Sequence, residues 1–378
     1  MLQLRLYGKL SVIGVITLMP LLVLPALVGT LVDETVLTET QAGWSASLNF
    51  LGGALIAGLM ALRMHHLDLR RVTVFGFLLA AAGDALSGFT TDHVTLFMVI
   101  RFLTGIGAGI AYTAVLGAFA RLPEVDRGYA VFITLQFIVS GLGLFLLPVF
   151  SGVLGAKGMF LFIAALDVVG MWLCSGLPGK AVQTARAEGS RTELHVLLAF
   201  GTILAALGFL VFEAANTAQF TYVERLGVAL EFSDQQIGSS MLIASLAGIP
   251  GAFSIVMLGT RFGRLAGLSF GFAVSIVGLI VMINAQTFLP YVIGSMMISF
   301  AWAFCLPYIQ GLMASLDPNG SAVAAGSATS TIGGAIGPGL AALVIGSGVY
   351  QHIFMFAIGM LLFSLMCFFV SGRHAAQP

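Results

Sequence analysis

Four ionisable residues interrupt the long apolar stretches of the chain: Asp84, Arg101, Asp167 and Glu213. Charged groups in such surroundings are costly and usually serve a function. Asp84 lies about eight residues before the centre of a short loop and Arg101 about nine after it, so two antiparallel helices would hold them at depths that differ by roughly 1–2 Å. The spacing therefore predicts an Asp84–Arg101 ion pair, either as a structural clamp or as part of ion coupling.

Glu213 is the leading candidate for binding and releasing a proton. At helical spacing it shares a face with Asn216, Thr217 and Phe220. Loss of water around a carboxylate favours its neutral form, so an acid on a helix that lines a cavity could take up a proton and release it as access changes. The alternative is an acid at a wet helix end that stays solvated throughout.

Asp167 has no evident partner within its own apolar stretch. It lies at a depth similar to that of Asp84 and Arg101, so it could join them, or it could be a protonated acid bonded to a neighbouring helix. Arg101, Thr104 and Tyr112 form a polar stripe, with Tyr112 as a substrate contact or as a packed tyrosine. Further candidates for a substrate cavity are Arg101, Thr104, Asn49, Gln136, Asn216, Thr217, Phe220, Trp302, Tyr308 and Gln310, and Asp84 and Asp167 are further candidates for proton coupling.

Membrane-spanning helices are the elements predicted to position these residues. Hydrophobic residues make up 59% of the chain and charged residues 8%, whereas a soluble domain carries about 25% charged residues. The apolar runs have the length that crosses a bilayer, and they do not alternate as the strands of a membrane barrel do. The sequence therefore predicts an all-α membrane protein with twelve spans, near 10–32, 42–63, 72–90, 94–119, 128–150, 158–178, 195–219, 236–258, 265–284, 288–313, 322–346 and 351–371.

The distribution of charge predicts the domains and the orientation of the chain. The polar segment 179–194 predicts a cytoplasmic linker between an N-terminal six-helix bundle, 1–178, and a C-terminal one, 195–378. If the N-terminus lies in the cytoplasm, most of the sixteen Lys and Arg residues fall on that side, and only Lys157 and Arg225 fall outside. The positive-inside rule then places both termini in the cytoplasm.

A short pattern repeats half a chain apart. Residues 38–43 (TETQAG) precede the second span, and residues 233–238 (SDQQIG) precede the eighth. In each copy the hydroxyl residue is a plausible helix cap, and the acid that follows suits the positive end of the helix dipole. Two copies, each opening the second span of a six-span unit, indicate a duplicated bundle, which is one known plan of transporters.

With these features the chain resembles the major facilitator superfamily over nearly its whole length. Residues 259–264 (GTRFGR) are similar to the cytoplasmic loop signature of the family, and residues 58–71 match it more loosely. Residues 101–109 (RFLTGIGAG) resemble the fourth-helix signature, and residues 333–339 (GGAIGPG) resemble the G-x-x-x-G-P motif. The resemblance implies two six-helix bundles around a central cavity.

The chain departs from the family pattern at the acidic position of the loop signature, which is Leu62 in one half and Thr260 in the other. In the family that acid helps to latch the two halves, so the latch is weaker here or is supplied by Asp68. The fifth-helix motif has Leu147 before Pro148, which argues against an antiporter. The gate residues that the resemblance implies are Arg63, Asp68, Arg70, Arg71, Arg261, Gly263 and Arg264.

The resemblance implies a secondary active transporter that moves a small organic solute by alternating access. A proton is favoured over sodium as the coupled ion, because isolated acids suffice for protons. The alternatives are a proton-driven efflux antiporter, a uniporter without ion coupling, and a non-transporting membrane sensor or scaffold. An enzyme is disfavoured because the histidines lie at span ends or in loops, and cysteine spacing predicts neither a metal site nor a cofactor.

The expected partners follow from the same features. They are the lipid bilayer, a hydrophobic or weakly polar small molecule and H⁺, without nucleic acid. By resemblance the protein works as a monomer, and its short loops suggest a multi-pass protein of a bacterial inner membrane.

Overall fold

A computed structural model describes residues 2–61, 68–119, 125–174, 199–259, 261, 263–316, 321–345 and 349–375. Within these ranges the chain is helical and contains no strand. The helices are α1 (Leu2–Thr17), α2 (Met19–Leu22), α3 (Leu24–Glu34), α4 (Glu39–Ala61), α5 (Leu69–Ser87), α6 (Val94–Phe119), α7 (Val125–Leu173), α8 (Phe200–Ala229), α9 (Asp234–Leu258), α10 (Arg264–Ile283), α11 (Phe288–Leu316), α12 (Ser321–Val344) and α13 (Gln351–Ala375).

The chain folds into two compact units, Met1–Ala185 and Arg186–Pro378. Ten helical stretches among the described residues are long and apolar enough to cross a membrane. The predicted linker 179–194 lies outside the described residues.

The first predicted span is broken twice. Helix α1 ends at Thr17, and the short helix α2 and then α3 follow after Leu18 and Val23. Pro20 and Pro25 occupy the first turns of α2 and α3, where a missing backbone N–H costs nothing. The two prolines therefore begin new helical segments.

The fifth and sixth predicted spans are joined without a separate loop. Helix α7 runs from Val125 to Leu173, and its one non-helical residue is Gly155, with φ 58°. This φ lies in the left-handed region, which glycine enters without steric cost. The turn predicted between the two spans is therefore a sharp kink within α7.

The two units share a pattern of helix pairs and of glycine contacts between them. In the first unit α4 and α5 pack on α6, and in the second α9 and α10 pack on α11. A Cβ at Gly52 would collide with the carbonyl oxygen of Phe102, and a Cβ at Gly251 would collide with that of Phe300. Glycine thus brings α4 onto α6 and α9 onto α11 at backbone contact, as is common for helices that pair in lipid.

The repeated sequence pattern forms the same cap twice. The Thr38 hydroxyl accepts the Gln41 backbone N–H at 3.2 Å, and the Gln41 side chain accepts the Thr38 N–H at 3.0 Å. Ser233 and Gln236 make the same reciprocal bonds, at 3.3 and 3.0 Å. These are two capping boxes, so the hydroxyl caps predicted for α4 and α9 are confirmed.

Candidate functional site

The predicted ion pair is present between α5 and α6. Nη1 of Arg101 donates to Oδ1 of Asp84 at 2.5 Å, and both side chains are 2% exposed. The same nitrogen lies 3.5 Å from the Ser87 hydroxyl, which in turn donates to the Gly83 carbonyl. The guanidinium lies over the ring of Phe160, 5.1 Å from its centroid, which adds a cation–π contact.

Small residues let α5 and α4 approach α6 closely enough to build this pair. A Cβ at Gly83 would overlap the Thr104 hydroxyl, and a Cβ at Gly105 would overlap the Asn49 carbonyl. Asn49 Nδ2 donates to the carbonyl oxygen of Arg101 at 3.0 Å, and Thr104 donates to its own helix. Asn49 and Thr104, expected to line a cavity, instead lie buried in helix contacts, since they are 3% and 1% exposed.

Asp167, in the second half of α7, lies near the Asp84–Arg101 ion pair. It is 3% exposed, and its carboxyl is a neighbour of the Asp84 carboxyl. Among the described residues, no group donates a hydrogen bond to its Oδ2. Asp167 therefore joins Asp84 and Arg101, and this position leaves open whether its carboxyl is protonated.

Glu213 forms a second buried polar centre, in the other unit. It lies on α8 and is 8% exposed. The indole N–H of Trp302, on α11, donates to its Oε2 at 3.3 Å. No Lys, Arg or His forms an ion pair with Glu213 among the residues that the structure describes. A carboxyl group is thus held by a neutral donor.

Polar neighbours of Glu213 on the same helix face donate hydrogen bonds to backbone carbonyls of α8. Asn216 donates to the Phe212 carbonyl at 2.8 Å, and Thr217 donates to the Glu213 carbonyl at 2.9 Å. A Cβ at Gly337 would overlap the Thr217 hydroxyl. Helix α12 therefore covers Thr217, and Asn216 keeps its amide oxygen for another donor.

The remaining cavity candidates differ in their contacts and exposure. The ring of Tyr112 lies 6.5 Å from that of Phe132. The Tyr308 hydroxyl donates to the Gly259 carbonyl at 2.9 Å, and the ring is 4% exposed, which favours a structural role. Gln136 and Phe220 are half-buried, and Gln310 is exposed.

The expected gate residues are described for the most part, although Arg63 lies outside the described residues. Asp68 caps α5 by accepting the Arg71 N–H at 3.2 Å and lies 3.4 Å from the Arg71 guanidinium. The Asp68 carboxylate therefore makes both of these interactions within the first turn of α5. Three further gate residues, Arg70, Arg261 and Arg264, are exposed. Gly263 begins α10 with φ 83°, a conformation that suits glycine.

A buried pair of charges lies beyond the predicted end of the seventh span, at 219. Helix α8 continues to Ala229, and Arg225, predicted to fall on the outer side, is 4% exposed. Two of its nitrogens bond Glu224, at 2.6 and 2.9 Å. Nearby, the Tyr291 hydroxyl donates to the Val223 carbonyl at 2.8 Å. The helical turns beyond the predicted span therefore bury two charged groups that the hydrophobic pattern did not include in it.

Comparison with known proteins agrees with this architecture. Residues 10–231 match the family model described as Major Facilitator Superfamily. Over 94% of its length, and 92% of the relative's, the chain is 22% identical to a putative niacin/nicotinamide transporter, NiaP, of Bacillus subtilis.

A solved structure of a mutant form of the nucleoside transporter NupG has the same fold. Its TM-score to this chain is 0.78, at 14% identity, and the match covers 97% of this chain and 99% of the other. The family and these relatives are transporters rather than enzymes. With more than half of its length matched by the family model, this multi-pass membrane protein belongs to the Major Facilitator Superfamily of secondary transporters.

Proposed function

We propose that this protein moves a small organic solute by alternating access and couples that movement to protons, with Glu213 as the residue that carries the proton. Membership of the family supports secondary transport. Family membership does not identify the coupled ion or the residue that carries it. Both assignments rest on the surroundings of the Glu213 side chain.

The observation that carries the proposal is a buried carboxyl that forms no ion pair with any of the residues that the structure describes. Glu213 is 8% exposed, and its side-chain partner is the Trp302 indole N–H at 3.3 Å. Burial without a counter-charge penalises the ionised form of a carboxyl, whereas a hydrogen bond to the carboxylate stabilises that form. These opposed effects allow the group to exchange a proton when its access to water changes.

The solute that we propose is a small, weakly polar molecule with a nitrogen-containing aromatic ring. The partly exposed indole of Trp302 beside Glu213 offers a surface on which an aromatic ring can stack, next to a carboxyl that can exchange hydrogen bonds with the solute. The names of the two relatives are in keeping with this class, since one refers to niacin and nicotinamide and the other to nucleosides.

We further propose twelve crossings in two bundles of six, with both termini in the cytoplasm of a bacterium and the protein as a monomer in the inner membrane. Counting α1–α3 as one crossing and α7 as two gives six in each unit. The two capping boxes support a duplicated unit. The positive-inside rule supports the orientation.

Proton flux in liposomes tests this proposal. The purified protein would be reconstituted with an internal pH-sensitive dye, and nicotinate, nicotinamide and nucleosides would be added outside in turn. We expect one of these solutes to move protons through the wild type and through Glu231→Gln, in which an exposed glutamate is changed. We expect Glu213→Gln to abolish the proton signal.

Other outcomes would each remove a part of the proposal. If Glu213→Gln still moves protons with the solute, Glu213 is not the carrier. If radiolabelled solute enters without a pH change in the wild type, the protein is a uniporter. If no solute of a wider panel moves, the sensor or scaffold function replaces transport. The sign of the pH change separates symport from antiport.

A further inference from the structure

Two carboxyls share one cation in the first unit. Asp84, Arg101 and Asp167 come from α5, α6 and α7 and are 1%, 1% and 3% exposed. The Phe160 ring covers the guanidinium at 5.1 Å, and the Gly83–Thr104 contact closes the space between α5 and α6. The cluster has little access to water from these sides.

The charges of this cluster balance only if it holds a proton. Arg101 donates to Asp84 at 2.5 Å, so the charge of Asp84 is matched. A second ionised carboxylate would lie beside the first, and part of its charge would rest on Oδ2 of Asp167, which accepts no hydrogen bond from any described residue. An unpaired buried charge costs far more than an unbonded neutral oxygen. One proton on the pair brings the net charge of the cluster to zero.

No other group in the described part of the chain supplies the missing charge. Among the described residues, the charged or titratable groups that face Asp167 from the packed helices are Asp84 on α5 and Arg101 on α6. Helices α1, α2 and α3 also pack on α7, and the Glu34 carboxylate of α3 lies beside Gly155, about three helical turns before Asp167. Lys157, on α7 itself, is exposed and lies over the ring of Phe89, 4.2 Å from its centroid.

We propose that Asp167 holds a resident proton and donates a hydrogen bond to Asp84, which makes the three-residue cluster a neutral structural joint that keeps its proton throughout transport. This inference does not depend on the proposed function, because it concerns a different carboxyl in a different unit. It also assigns separate roles to two buried acids, since the proton at Glu213 would move and the proton at Asp167 would stay.

The test compares two replacements of Asp167. Asparagine keeps a donor for Asp84 and is neutral, so it imitates a protonated aspartic acid, whereas leucine has a similar size and no donor. We expect Asp167→Asn to unfold within about 2 °C of the wild type from pH 5 to pH 8.5, and Asp167→Leu to unfold roughly 3–6 °C lower. Differential scanning fluorimetry of the full-length protein in detergent measures both.

Infrared spectroscopy gives a readout that does not depend on stability. At pH 8 we expect the wild type to show the C=O band of a protonated carboxylic acid, with the shift that exchange into D₂O produces. We expect this band to be absent from Asp167→Asn and retained in Glu231→Gln. If Asp167→Leu does not fold, the band and the Asn variant still decide the question.

Three results would overturn the proposal. The first is an Asn variant as unstable as the Leu variant, and the second is a wild type without the protonated-acid band at pH 8. The third is an Asn variant that moves solute but no longer moves protons, since the proton of Asp167 would then be the transported one. If the wild-type protein in liposomes moves no solute at all, the proposed function fails. The thermal and infrared results still test the proposed proton on Asp167.

Discussion

The two units hold a buried carboxyl in opposite ways. Asp84 accepts from the guanidinium of Arg101 at 2.5 Å, whereas Glu213 accepts from the neutral indole of Trp302 at 3.3 Å. A carboxylate next to a buried cation is held in its ionised form, because removing either charge leaves the other unpaired. A carboxyl with a neutral donor is free of that constraint. The comparison indicates that one unit has a fixed polar joint and the other has a group that can change its charge.

Breaking the ion pair should have the largest effect on stability. Asp84→Asn removes the carboxylate to which Arg101 donates and leaves Asp167 as the remaining acid of the cluster, so we expect the free energy of unfolding to fall by about 3–5 kcal/mol. Chemical unfolding in detergent micelles measures this change. The control is Asp84→Leu combined with Arg101→Leu, which removes both charges and should recover much of the loss. A single variant as stable as wild type would show that the pair is not a structural joint.

Preventing the close approach of α4 and α6 should have the next largest effect. In Gly105→Ala the new Cβ meets the Asn49 backbone carbonyl, and a backbone cannot move aside as a side chain can, so we expect a loss of about 1–3 kcal/mol. Gly58→Ala is the matched control on α4, because its Cβ meets nothing within 4 Å. Equal stabilities of the two variants in the same unfolding assay would contradict this packing.

The two capping boxes should contribute equally if the units are true repeats. We expect Thr38→Ala and Ser233→Ala each to lower the free energy of unfolding by about 1 kcal/mol, since each removes the same side-chain acceptor from a helix start. Limited proteolysis next to each cap, together with the unfolding midpoint, measures the change. A much larger loss of stability from one of these substitutions than from the other would show that the two caps share a sequence pattern but do not contribute equally to stability.

Glu213→Gln should change stability least. The amide oxygen of glutamine can accept from Trp302 as the carboxylate does, so we expect the free energy of unfolding to stay within about 0.5 kcal/mol of wild type. The same unfolding assay tests this. A loss similar to that of Asp84→Asn would make Glu213 a structural residue and would weaken its assignment as the proton carrier.

Local rules explain which features were predictable from the sequence. The depth of Asp84 and Arg101 depends only on helical rise and on one short loop, so their ion pair could be predicted. The caps before α4 and α9 and the breaks at Pro20 and Pro25 likewise depend on a few neighbouring residues. The contact between Glu213 and Trp302 joins residues 89 positions apart, and no local rule relates their rotations about two helix axes.

Composition and local pattern by themselves determined that this chain lies in a membrane, that it is helical, and that two acids and an arginine lie at similar depths in the first half. Only the tertiary structure decided which of these groups touch. It placed Asp167 against Asp84 rather than alone, buried Arg225 with Glu224 inside a longer helix, and moved Asn49 from an expected cavity into the contact with α6. The reason is physical, because depth in a membrane follows from position along one helix, whereas contact depends on how several helices rotate and pack together.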